Sequence, residues 1–215
     1  MTDLHQTLAQ FTTCVLSDAA DSLSLQVQCF GLVPTRPDVR IAGPAFTLRY
    51  LPVGTSGGTV GDFLHLVQPG AVIVIDNAGR TDCTIWGGIL SEVAHRQGVA
   101  GAVIWGMHRD QETAVATGFP LFTCGAFMRT GKGRVALEQI NGPVGVAGVR
   151  IEPGDLVVAD ANGVVAIPQA RAADVAARAA FIAGREAALL DEVARTDNLE
   201  QARAAVGYHD LQSRR

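Results

Sequence analysis

Two apolar runs with one helical stretch between them constrain the fold of this chain more than any other feature. Residues 71–76 (AVIVID) are apolar at every position up to Asp76, and residues 102–105 (AVIW) repeat the pattern. Runs without alternation suit strands covered on both faces, as in parallel sheets. Between them, residues 84–97 set Ile85, Ile89 and Val93 on one stripe and stop before Gly98, which predicts a helix with a glycine C-cap. Residues 110–117 read as a second helix closed by Gly118, and residues 120–123 as a third strand. The order is β-α-β-α-β. Its crossovers are right-handed, so the loops leaving the first two strands share one edge of the sheet.

The flanking segments are plainer. Residues 1–40 carry one or two amphipathic helices and the loop Val33-Pro34-Thr35-Arg36-Pro37, and residues 41–53 form a strand bent at Gly43-Pro44. A loop over 54–59 is expected at the mouth of the site, then a short helix over 62–67. Beyond Pro143 come short strands over 144–146, 149–151, 156–159 and 164–167, with turns at Pro153-Gly154-Asp155 and Asn162-Gly163. Asn-Gly is a strong hairpin signal. An alanine-rich helix over 170–195 and a polar tail close the chain. No repeat or linker divides it. The expected fold class is α/β, one domain over residues 1–215 with a central mixed sheet flanked by helices.

Composition excludes several classes. Charged residues are 18% of the chain, below the usual ~25%, and 24 of 215 residues are glycine. That suits a loop-rich α/β protein that buries surface in an oligomer. A net charge of −4 gives no electrostatic case for nucleic acid. Cys14, Cys29, Cys83 and Cys124 are scattered without a C-x-x-C and read as reduced thiols. The first residues lack a basic-then-apolar pattern, and no apolar run approaches the ~18–20 residues of a membrane span. The expectation is a soluble, cytoplasmic protein.

The shared sheet edge brings together residues far apart in sequence. Gly87-Gly88 follows the first strand and would open a helix whose free N–H groups attract an anion. Arg109-Asp110 follows the second strand and offers a planar cation beside a hard oxygen ligand. Such a pair suits a 2-oxo acid: Arg109 holds a carboxylate or developing enolate oxygen, and Asp110 helps hold Mg²⁺ or Mn²⁺ as a Lewis acid. Residue types and spacing equally suit an N-cap aspartate with a solvated arginine, and glycines that merely let a helix pack. Gly54-Thr55-Ser56-Gly57-Gly58 matches G-x-S-x-G but lacks the several strands a nucleophile elbow requires. Gly131-Lys132-Gly133-Arg134 reads as a basic turn, not a phosphate loop. His65 and His95 read as surface or core residues, and Trp86 and Trp105 as packing, with a wall of the pocket as the alternative for Trp86, which borders the glycines.

The run PGAVIVIDNAGR…GGIL…GVAGAVIWGMHRD…TGFPLF, followed by PGDLVVADANGVVAIP, resembles the RraA-like family. That family includes 4-hydroxy-4-methyl-2-oxoglutarate/4-carboxy-4-hydroxy-2-oxoadipate aldolases and proteins named as regulators of ribonuclease E activity. Its most diagnostic element is a glycine, twenty residues, then Arg-Asp, here Gly88 and Arg109-Asp110. The resemblance implies a swivelling β/β/α fold, a homotrimer or homohexamer, and sites between subunits. It implies pyruvate held by the amides of the segment Gly87, Gly88, Ile89, Leu90 and by Arg109. It also implies a divalent ion on Asp110, aided by a glutamate of a neighbouring C-terminal helix, for which Glu186 is the candidate. His108, directly before Arg109, is expected either to bind the distal end of the substrate or to shuttle a proton. Two departures stand out: family aldolases often carry an acid where Gly88 stands, and an acid where Thr113 stands. The expected activity is a class II, metal-dependent lyase, cleaving 4-hydroxy-4-methyl-2-oxoglutarate-type substrates or decarboxylating oxaloacetate. The alternative is a non-catalytic regulator that binds a partner protein.

Overall fold

The computed structural model describes residues 4–55 and 59–207. Ser56 of the G-x-S-x-G string and the end of the polar tail lie outside these residues. The strands are β1 (Gln28–Cys29), β2 (Val33–Pro34), β3 (Ile41–Pro52), β4 (Val72–Trp86), β5 (Gly101–His108), β6 (Leu121–Ala126), β7 (Val135–Ile140), β8 (Val144–Val146), β9 (Val149–Ile151), β10 (Leu156–Asp160) and β11 (Gly163–Ile167). The helices are α1 (Leu4–Leu8), α2 (Thr13–Ser22), α3 (Gly88–Arg96), α4 (Gln111–Thr117), α5 (Ala172–Thr196) and α6 (Leu199–Val206).

The main sheet runs β1-β11-β10-β3-β4-β5-β6-β2, with β7 paired to β3. Strands β3, β4, β5 and β6 are parallel, while β10 and β11 are antiparallel to their neighbours, so the sheet is mixed. Only Phe30, Gly31 and Leu32 separate β1 from β2, at opposite ends of that order. So short a link reaches at most ~14 Å, and the sheet must curl until its ends approach each other.

Curling explains the unbroken apolar runs. Val72 and Val74 of β4 join Val103, Phe122, Val157 and Ala166 in an inner core, closed over by the β8–β9 hairpin residues Val146 and Val149. The alternate residues Ile73 and Ile75 face a second core with Ile104, Leu121 and Ala94 of α3. Leu156 and Val158 of β10 face a third core under α1, α2 and α5. Each central strand is buried on both faces, so its sequence cannot alternate.

Several boundaries differ from expectation. Residues 84–86 are not helical: β4 continues through irregular pairing to Trp86, and α3 begins at Gly88. Asp76 pairs with Trp105 and Arg80 with Gly106, so three extra residues bulge out between them, Ala78 at φ 54°. The later helix start rotates its inner face. Ser91 and Ala94 are buried and Leu90 and Val93 pack on the core, whereas Ile89 is 80% exposed. The helix over 62–67 shrinks to a single 3₁₀ turn, Leu64–Leu66. Strand β7 was not expected; its place comes from pairing with β3. The last hairpin turns through Ala161-Asn162, with Gly163 already opposite Asp160. Among the described residues no helix is long and apolar enough to cross a membrane.

Asp160 ties that hairpin to α2. Its carboxylate accepts from the Thr13 amide (2.8 Å) and hydroxyl (2.6 Å) and from the Asn162 amide (2.9 Å). Desolvation pushes its pKa up, but these hydrogen bonds outweigh it and hold the carboxyl below its ordinary value. A depressed folded-state pKa stabilises above the unfolded value, and that contribution is lost as pH falls through the folded one. Asp160→Ala is therefore expected to lower stability by about 1–3 kcal/mol at pH 7. The gap between urea titrations of the two proteins should begin to narrow as pH falls below ~4, the unfolded carboxyl value, and close only below the lower folded-state value; a constant gap down to acid pH contradicts the assignment.

Candidate functional site

The site lies where β4 and β5 end, because parallel strands deliver their C-terminal loops to the same edge. A cavity of about 210 Å³ opens there. Its walls are Thr84, Ile85, Trp86, Gly87, Gly88, Ile89 and Leu90 from the β4–α3 passage, Arg109 and Asp110 from the end of β5, Val60 and Gly61, and Thr130. Gly87-Gly88 and Arg109-Asp110 thus converge on one space.

Helix α3 points its N-terminus at this space. The Gly88 amide donates to Asp110 Oδ2 at 2.9 Å, and the Ser91 amide closes the first helical bond to Gly87 O at 3.2 Å. The Ile89 and Leu90 amides belong to the first turn, whose N–H groups have no acceptor within the helix. Arg109 lies alongside, its Nε 3.6 Å from Asp110 Oδ2, and both side chains are about two-fifths exposed. Main-chain bonding fixes Arg109 directly to the other strand end, since its amide donates to Trp86 O at 2.9 Å.

Asp110 occupies the N-cap position of α4 yet makes no side-chain cap there. Its backbone is left-handed (φ 58°, ψ 48°), a conformation that costs a non-glycine residue of order 1 kcal/mol or more. That conformation carries the carboxylate to α3 instead of its own helix. The N-cap reading of Asp110 is therefore replaced by a cap across two helices.

The glycines have different roles. Gly87 is extended (φ −149°), which any residue adopts, but a Cβ on it would stand 2.8 Å from Asp110 Oδ2 and 3.2 Å from Arg109 Nε. A Cβ on Gly88 would meet Thr113 Cγ2 at 2.9 Å. Thr113 therefore fills the room that a larger residue 88 would need.

Other predicted residues lie elsewhere. His108 is 2% exposed, its Nδ1 against Thr123 Oγ1 (2.9 Å) and its Nε2 against Gln111 Oε1, and it is absent from the cavity wall. The alternation of β5 turns it under the sheet, so the distal-substrate and proton-shuttle roles are corrected to a buried link between β5, β6 and α4. Glu186 is half-buried on α5, also away from the cavity wall. His65, His95 and Lys132 are exposed, and Trp105 packs against the inner core. Val60, Gly61, Thr84 and Thr130 were not foreseen. Thr130 arrives because the Thr84 amide and hydroxyl both donate to Arg129 O (2.9 and 3.0 Å), a long-range contact with no local sequence signal. Among the described residues no three or more His, Cys, Asp or Glu side chains group as a metal cage.

Comparison with known proteins agrees with this architecture. A solved structure of an uncharacterised protein from Pseudomonas syringae pv. tomato superposes with a TM-score of 0.86 at 37% identity, covering 93% of this chain and 96% of that one. Streptomyces coelicolor RraAS2, described as an unusual member of the RNase ES inhibitor RraA protein family, gives 0.79 at 26% identity over 91% of this chain and 97% of that one. Protein DlpA of Legionella pneumophila is 36% identical over 97% of this chain, which spans only 34% of that longer relative. A Halalkalibacterium halodurans protein, provisionally named a 4-hydroxy-4-methyl-2-oxoglutarate aldolase, is 35% identical over 85% of this chain and 86% of its own length. The family described as Aldolase/RraA matches residues 13–166, and the chain belongs to the RraA-like family.

Proposed function

We propose that this chain is a divalent-metal-dependent lyase for 2-oxo acids. It would release pyruvate by retro-aldol cleavage of 4-hydroxy-4-methyl-2-oxoglutarate-type substrates or by decarboxylation of oxaloacetate. The observation that carries the proposal is the convergence of the α3 amides, Arg109 and Asp110 on one 210 Å³ cavity. Backbone N–H groups and a guanidinium form a preorganised anion site in a partly water-excluded space.

The chain's own residues would act as follows. The substrate carboxylate lies against the Ile89 and Leu90 amides, and Arg109 faces the 2-oxo oxygen. When the C3–C4 bond breaks, C4 leaves as CO₂ from oxaloacetate or, its hydroxyl proton passing to solvent, as the carbonyl of a second 2-oxo acid. The bond's electron pair forms C2=C3, and negative charge grows on the C2 oxygen. Arg109 stabilises the charge where it develops, and a proton returns to C3 to give pyruvate. Asp110 fits a magnesium-type ion only through a mixed shell: Oδ2 is taken by Gly88, leaving Oδ1 and coordinated waters. Glu186 of a neighbouring copy is the proposed further support, in a homotrimer or homohexamer. When bound, such an ion supplies Lewis-acid polarisation of the 2-oxo group.

The test is pyruvate release from oxaloacetate and from 4-hydroxy-4-methyl-2-oxoglutarate, with and without Mg²⁺, after subtraction of the protein-free metal rate. Wild type is expected to show metal-stimulated release from at least one substrate, and Asp110→Ala a loss of about 10²-fold or more. No stimulated release from either substrate removes the lyase reading and leaves the non-catalytic regulator in its place.

A further inference from the structure

The cavity's anion cradle depends on the first turn of α3, and one buried hydrogen-bonded pair holds that turn against the end of β4. Trp86 is 1% exposed and Ser91 is fully buried. The indole N–H of Trp86 donates to Ser91 Oγ at 2.9 Å, and the Ser91 hydroxyl in turn lies 3.4 Å from Gly87 O. The same Trp86 accepts the Arg109 amide through its carbonyl and stacks on Phe119 at 5.6 Å and 7°. It also forms part of the cavity wall. Trp86 therefore holds both halves of the site, Arg109 by its main chain and the α3 amides by its side chain.

We propose that Ser91 is a positioning residue for the 2-oxo acid carboxylate, acting through Trp86 on the Ile89 and Leu90 amides; this rests on the lyase reading. A serine one turn into an apolar helix face contributes little hydrophobic burial and could be replaced by alanine without steric conflict. Its hydroxyl instead gives the indole N–H its acceptor. Without it, the donor is buried and unpaired, a costly state. The Trp86 ring is held in the core against Phe63 and Phe119, so the group able to move in relief is the first turn of α3, whose residues line the cavity. Displacing amides aimed at a carboxylate weakens binding before it touches the bond-breaking step, so the effect falls on KM and Kd rather than kcat.

The experiment titrates oxalate, a planar mimic of the pyruvate enolate, and pyruvate itself into the 215-residue protein with Mg²⁺ present. Binding is read by calorimetry and by indole fluorescence, since Trp86 borders the cavity. Ser91→Ala is expected to raise both Kd values and the KM for pyruvate release about tenfold, with kcat within roughly twofold of wild type. Trp86→Phe removes the donor itself, so in that background the further effect of Ser91→Ala on Kd should shrink toward nothing. The double variant should be no weaker than the worse single one, as expected when two residues act through one bond. If wild type binds oxalate and Ser91→Ala binds it within twofold of the same Kd, the positioning role is overturned, whatever its melting temperature. If wild type itself binds neither probe, the lyase reading falls and the positioning role with it.

Discussion

Arg109→Ala is expected to lower kcat/KM for pyruvate release by about 10²–10³-fold, the scale on which one preorganised donor at a developing oxyanion acts. Folding should change little, because the side chain is two-fifths exposed and its ion pair with Asp110 is long at 3.6 Å. Arg109→Lys separates charge from geometry. A lysine keeps the positive charge but loses the planar, fixed-direction donors that Arg109 would aim at the developing C2 oxyanion. Recovery of less than a tenth of wild-type kcat/KM is the expected result. Steady-state kinetics of the three proteins, with melting curves as the control for folding, decide the point. An Arg109→Ala enzyme within about threefold of wild type contradicts the clamp.

Much of the architecture was legible in the sequence because periodicity reports burial. The runs around Val72–Val74 and Val103 lack alternation for a physical reason: each strand separates two cores, so neither face meets water. Parallel pairing and a shared loop edge follow from that. Other features were hidden because their causes are non-local. Ile85 falls on a helical stripe with Ile89 and Val93, yet it sits in a strand held out to Trp86 by pairing with Met107 and His108. Tertiary pairing overrode the local pattern. Curling of the sheet was equally invisible, since it depends on β1 and β2 pairing with β11 and β6, far away in sequence.

The site divides along the same line. Gly87-Gly88 and Arg109-Asp110 were identified because a strand–helix–strand unit places their loops together whatever the rest of the chain does. His108 was misplaced by sequence adjacency: in a strand, neighbours point to opposite faces, so standing beside Arg109 argues against sharing its cavity. Thr130 and Val60 come from segments whose positions are set only by tertiary contacts. The contact between Gly88 and Thr113 was also out of reach, because α3 and α4 meet only through tertiary packing. In the structure they form one packing unit.

Gly87→Ala separates the two readings of the glycine pair, close packing or ligand site. Alanine adopts the extended backbone of residue 87 without strain, so no conformational cost attaches to the substitution. Its methyl group would nonetheless stand 2.8 Å from Asp110 Oδ2, 3.2 Å from Arg109 Nε and 3.3 Å from Arg109 Cγ. Both are ends or stems of partly exposed side chains, so they can move aside at little cost to folding. The expected result is a melting temperature close to wild type together with a fall of about 10²-fold in kcat/KM, since displacements near 1 Å at a reacting centre carry that penalty. Metal stimulation should weaken in parallel, because the displaced carboxylate is the one proposed to hold the ion. The packing reading gives the opposite pattern: a lower melting temperature and kinetics within a few-fold of wild type. Gly88→Ala makes the useful comparison, as the atoms nearest to its methyl group are Cγ2, Cβ and Oγ1 of Thr113, at 2.9, 3.1 and 3.3 Å. A kinetic loss at residue 87 that exceeds the loss at residue 88 locates the chemistry on the Arg109-Asp110 side of the cavity.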